Sequence, residues 1–148
     1  MGTDIYLEYE GKPEKYTFKE GSYIRASIFS IKENTVLRMI FPKKYWEAGG
    51  PLRYRFSKKK LEELKVILNM YLKSYLENKK LECKEAKEYE EFGERVALLL
   101  CSCCERVEIS RPENIEFARR WARSVISFFE KGLELEKEGR RPKVLISW

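Results

Sequence analysis

"DIYLEYE", residues 4–10, sets Ile5, Leu7 and Tyr9 against Tyr6, Glu8 and Glu10. That alternation is the period-2 signature of a half-buried strand. The last six residues, "KVLISW" (143–148), are as strongly patterned. The two segments are expected to pair side by side, because chain ends that contribute to a core must be tied down.

Working inward from the first strand, "EGKP" reads as a turn and "KYTF" (15–18) as a short return strand. "SYIRASIFSI" (22–31) places Ile24, Ile28 and Ile31 at helical spacing, but its β-branched and aromatic content favours a strand. "TVLRMIF" (35–41) also reads as a strand, entered through the turn-prone "KEN" and closed by Pro42. "EAGGP" (47–51) is the clearest break in the chain.

Helices dominate the rest. Leu61, Leu64, Leu68, Tyr71 and Tyr75 step by 3, 4, 3, 4, the apolar stripe of a helix that starts after Ser57 and ends near Asn78. The charged "KKLECKEAKEYEEFGERV" grades into a second helix through "ALLLCSCCERV", apolar on nearly every side and so expected to be buried. "SRPE" (110–113) opens a third, with Ser110 as N-cap, Pro112 in the first turn and Glu113 closing a capping box. That helix is expected to bury Ile115, Ala118, Ala122, Val125 and Phe129, and to stop before Gly139 in "EGRRP". The order β-β-β-α-α-α-β excludes a doubly wound parallel sheet. It implies an α+β fold in a single domain over residues 1–148: an antiparallel sheet from the N-terminal third, joined by the C-terminal strand and covered on one face by three helices.

With 148 residues, a core needs neither disulfides nor metal. Charged residues make up 36% of the chain, with 18 Lys, 23 Glu, four Asn, no Gln and no His. That Lys/Glu-rich, amide-poor balance is the one high-temperature proteins favour, and it points to a thermophilic source, archaeal or an archaeal virus. The N-terminus has no basic and apolar leader, and "VALLLC" falls far short of the roughly 20 apolar residues of a membrane span. A cytoplasmic protein is expected, and four cysteines suit a reducing compartment.

The chain resembles an uncharacterised prokaryotic and phage protein family whose members open with a glycine-aspartate-isoleucine-tyrosine-leucine strand. The likeness lies in "MGTDIYL", "GSYIRAS", the arginine-flanked lead-in to the first long helix, and "SVISFFEKGLELEKEGRRPKVLISW". It covers both ends of the chain and not the middle. It implies a small α+β domain of viral or mobile-element origin, and no chemistry. The histidine that members place after the tyrosine-arginine segment has no counterpart here.

Charge is distributed unevenly. Residues 1–42 and 61–148 are each neutral, whereas "KKYWEAGGPLRYRFSKKK" (43–60) has seven basic groups against one acid, Glu47, and so carries the whole formal +6. Lys58, Lys59 and Lys60 fall in the first turn of the helix capped by Ser57, where three cations oppose the helix dipole. Charges that cost local stability suggest an anion held at that corner. Arg53 and Arg55 alternate with Tyr54 and Phe56, and Tyr45 and Trp46 adjoin Lys43 and Lys44. Cations interleaved with rings are what single-stranded nucleic-acid grooves use. The competing reading is a solvated face whose aromatics pack beneath it.

Two other constellations weigh less. Cys101, Cys103 and Cys104 form C-x-C-C on an expected helix, where neighbours point about 100° apart and cannot easily share a metal even with Cys83. They are expected to be reduced, metal-free packing residues. Asp4, the only aspartate, is set in a strand and is paired on paper with Arg25 or a tyrosine, as a polar pocket or as a plain ion pair. With no phosphate-binding glycine loop, no metal-ligand set and no histidine, no cofactor or metal is expected. Carboxylate, lysine or tyrosine catalysis stays open, but the expectation is a small non-catalytic accessory protein that contacts nucleic acid or another polyanion through residues 43–60. The alternative is a protein-interaction or oligomer-forming domain.

Overall fold

A computed structural model of the protein describes residues 2–9, 22–27, 30–77 and 112–148. Strand β1 (Gly2–Glu8) runs antiparallel to β2 (Tyr23–Ser27) on one side and to β4 (Lys143–Ser147) on the other. A two-residue strand, β3 (Leu52–Arg53), borders β4 and completes an antiparallel sheet in the order β2-β1-β4-β3. The predicted pairing of the two chain ends is present, with Ile5 opposite Ile146 and Leu7 opposite Val144. Alternation does the sorting: Ile5, Leu7, Ile24, Ala26, Val144 and Ile146 point into the core, and Asp4, Tyr6, Tyr23 and Leu145 lie on the wetter face.

The inner face is met by α1 (Ile31–Ile40) and α4 (Pro112–Lys137), with α3 (Lys58–Leu76) packed against both of these helices and the short α2 (Lys43–Glu47) against β4. The fold is α+β as expected. The stripe on α3 buries Leu64, Leu68, Tyr71 and Tyr75, and α4 buries Ala118, Ala122, Val125 and Phe129, while Leu61 and Ile115 are half-buried. Helix α4 ends as its sequence requires. Gly139 takes φ +70°, Gly139 N–H donates to Glu136 O (3.1 Å) and Arg140 N–H to Leu135 O (3.0 Å), the paired bonds of a Schellman stop.

One expected strand is a helix. "TVLRMIF" lies almost wholly in α1, which also absorbs the "KEN" expected to be a turn. From Lys32 to Arg38 every side chain is buried. A segment buried on all sides shows neither a period of 2 nor one of 3.6, so its β-rich composition was a poor guide. The element order among the described residues is therefore β-β-α-α-β-α-α-β. The return strand at 15–18, the apolar helix containing "CSCC" with Cys83, Cys101, Cys103 and Cys104, and the Ser110 cap all lie outside the described residues. No helix among the described residues is long and apolar enough to cross a membrane.

Candidate anion-contact surface

Residues 43–60 cross from α2, through the Gly49 turn (φ +64°) and β3, into the first turn of α3. Aromatic side chains hold this path in place. Tyr45 and Trp46 are buried, Tyr45 O–H donates to Arg53 O (2.8 Å) and Trp46 Nε1–H to Phe41 O (3.0 Å). Tyr54 and Phe56 alternate inward as the extended reading implied, with ring centroids 4.6 Å apart and with Phe129 packed against both. All four rings thus belong to the core, and none is offered for a base to stack on. Burying rings of this size stabilises a fold far more than leaving them on a groove.

The seven cations divide by use. Arg53 forms a two-pronged pair with Glu136, Nη1–Oε1 at 2.5 Å and Nη2–Oε2 at 2.9 Å, and Nη1 also donates to Pro142 O at 3.0 Å. This bonding raises the Arg53 pKa and holds the Glu136 carboxyl below its ordinary range. Lys60 Nζ donates to Arg55 O (2.5 Å) and sits 4.2 Å over the Tyr54 ring. Burial, and then the neighbouring Lys44, pull the Lys60 ammonium pKa down. Lys43 lies 3.6 Å from Glu47 one turn along α2. Lys44, Arg55, Lys58 and Lys59 stand exposed. Ser57 caps α3 by accepting from Lys60 N–H (3.2 Å), so Lys58 and Lys59 do occupy the first turn, which contains no acid. The sevenfold cluster reduces to four outward charges and a structural remainder.

Asp4 and Arg25 are ladder partners on the wetter face of the sheet, with Arg25 Nε 3.9 Å from Asp4 Oδ1. Tyr23 O–H donates to the same carboxylate, and the Tyr6 and Tyr23 rings lie 5.3 Å apart. Burial first, and then that hydrogen bond, push the Tyr23 hydroxyl up to about 12. The group is a surface ladder across adjacent strands, set mid-sheet.

The charged side chains inside α1 have no local signal in the sequence. Glu33 accepts from Tyr71 O–H (2.6 Å) and Tyr75 O–H (2.8 Å), and Lys32 Nζ donates to Ser74 O (3.0 Å) while lying 4.2 Å over the Tyr75 ring. Arg38 stacks between Trp46 (3.3 Å) and Trp148 (5.2 Å). Asn34 accepts from Thr3 O–H (2.9 Å) and donates to Ser27 O (2.9 Å), tying α1 to the sheet. The polar run "KEN" carried no period that distinguished a buried network from a turn. Among the described residues no three His, Cys, Asp or Glu side chains are grouped to hold a metal ion. The exposed part of segment 43–60 presents the positive charges of Lys44, Arg55, Lys58 and Lys59. No protein-family model, curated protein or solved structure matches the chain.

Proposed function

We propose that this is a non-catalytic accessory protein that contacts nucleic acid or another polyanion, with Lys44, Arg55, Lys58 and Lys59 as the phosphate-contacting groups. The supporting observation is that these four side chains are exposed on the one segment that carries the chain's whole net charge. Lys58 and Lys59 remain in a first turn where they oppose the helix dipole, a placement that folding alone does not favour. With the rings buried, contact is to the backbone phosphates and is indifferent to sequence.

The test is binding of labelled single- and double-stranded oligonucleotides at two salt concentrations. Four phosphate contacts predict that log affinity falls against log salt with a slope of about −3 to −4. Replacing Lys58→Glu and Lys59→Glu together should abolish binding at low salt. Affinity that ignores both salt and these substitutions would refute the proposal. The partner-protein alternative draws its support from Val66 and Leu76, 61% and 54% exposed on α3.

A further inference from the structure

Where β1 ends and β4 begins, Glu8, Tyr9, Arg53, Arg141 and Lys143 line a cleft of about 240 Å³. Three of the five are cations, and two more stand beside it: Arg140 lies 5.0 Å and Lys131 5.9 Å from the centre of the Tyr9 ring. The neighbouring acids are engaged, Glu136 with Arg53 and Glu138 with Arg140 (3.6 Å). Glu8, the one acid in the lining, is the ladder partner of Lys143. Arg141 and Lys143 are exposed and make no ion pair among the described residues.

The backbone singles out Arg141. It sits at φ +46°, the only non-glycine at positive φ among the described residues. That region is uncommon for a residue with a Cβ, and a residue preceding proline, as Arg141 precedes Pro142, is further biased to extended negative φ. Glycine would adopt this conformation without strain, as Gly139 does two residues earlier (φ +70°). The turn is anchored on both flanks, by the Schellman bonds at Gly139 and Arg140 and by Pro142 O, which accepts from Tyr54 N–H (3.2 Å) and Arg53 Nη1 (3.0 Å). A strained arginine held on a fixed turn over a cationic cleft is an arrangement that function explains better than packing does.

We propose that this cleft binds the phosphoryl group of a phosphate monoester, with Arg141 and Lys143 as direct ligands and Arg53 as a fixed cation in the wall. An arginine fork matches phosphate oxygens in pairs, and lysine adds a point charge. The volume is below the roughly 300–1,000 Å³ of drug-sized sites, so it suits one phosphoryl group and the atoms next to it. The inference stands apart from the polyanion reading, since it uses neither Lys58 nor Lys59. Two sources share the chemistry: a small phosphate ester, or the 5′-phosphate of a strand lying on the adjoining basic face.

Titration calorimetry with inorganic phosphate tests the site. Arg141→Asn keeps a residue that tolerates positive φ, and Arg141→Gly relieves the strain; both should weaken phosphate binding about tenfold or more. Thermal melting should show the glycine variant at least as stable as the parent. The Lys58→Glu, Lys59→Glu pair should bind phosphate as the parent does, which separates this site from the polyanion surface. A 5′-phosphorylated oligonucleotide binding about tenfold tighter than its 5′-hydroxyl twin identifies the strand end as the source. Equal affinity of the twins, with phosphate still bound, identifies a small ester. No heat with millimolar phosphate, or full binding by both Arg141 variants, would overturn the proposal.

Discussion

Lys32, Glu33 and Arg38 of α1 are buried and matched to tyrosines, a backbone carbonyl and two tryptophans, whereas Lys44, Arg55, Lys58 and Lys59 a few residues on stand in water. The first set is costly to desolvate; Glu33 and Lys32 offset that cost by hydrogen bonding and Arg38 by stacking on rings. The second set costs little to keep and adds little to the fold. Arg53 and Lys60 are intermediate: both belong by sequence to the basic segment, but Arg53 is tied to Glu136 of α4 and Lys60 lies half-buried over the Tyr54 ring. Position in the chain does not tell a structural charge from an available one; desolvation and partners do.

The largest effect is expected at Glu33. Its replacement by alanine removes the acceptor of two buried hydroxyls, Tyr71 and Tyr75, and should cost about 3 kcal/mol or more in urea unfolding. A loss below about 1 kcal/mol would mean that this network is dispensable and that buried and exposed charges matter alike to the fold.

At the boundary, Arg53→Met should cost about 2 kcal/mol, since charge-assisted hydrogen bonds to a half-buried carboxylate are lost. A double-mutant cycle with Glu136→Gln should show the two losses to be shared and not additive. The pair also carries a pH signature. Arg53 holds the Glu136 carboxyl below its ordinary value of 4.5, so at mildly acid pH the unfolded chain binds the proton more readily than the folded one. The stability from this group is fully present above pH 4.5 and is lost as pH falls through the depressed folded value. The difference between the parent and Glu136→Gln should therefore narrow on acidification, and a gap that widens would reverse the assignment.

The exposed lysines should give the smallest effect. Lys58→Glu and Lys59→Glu should each stabilise the protein by about 0.3–1 kcal/mol at low salt, because an acid in a first turn complements the helix dipole. The gain should fade as salt rises. Destabilisation by either would place these lysines with Arg53, as parts of the fold.

Much of the architecture was legible because period and punctuation are local. Alternation at 4–10 marked a strand, steps of 3 and 4 from Leu61 to Tyr75 marked a helix, and Gly139 marked where α4 stops. α1 escaped because burial on every side erases the period. The alternation of Arg53 and Arg55 with Tyr54 and Phe56 was visible, yet the use of the rings was not, since it depends on Phe128 and Phe129, far along the chain in α4. The cleft at Arg141 was invisible for the same reason: "EGRRP" announces a helix stop, and nothing in it reports φ or the side chains brought beside it.

Local pattern alone specified the strand at each end of the chain, the two long helices with their buried faces, and the placement of all net charge in residues 43–60. Each of these follows from hydrophobic spacing, from capping chemistry or from counting, which need no neighbour beyond a few residues. Which charges are available is set by packing between distant segments. Arg53 and Glu136 are 83 residues apart, and Glu33 and Tyr75 are 42 apart. Whether a cation meets a carboxylate, a ring or water depends on contacts across such separations, and no local pattern encodes them.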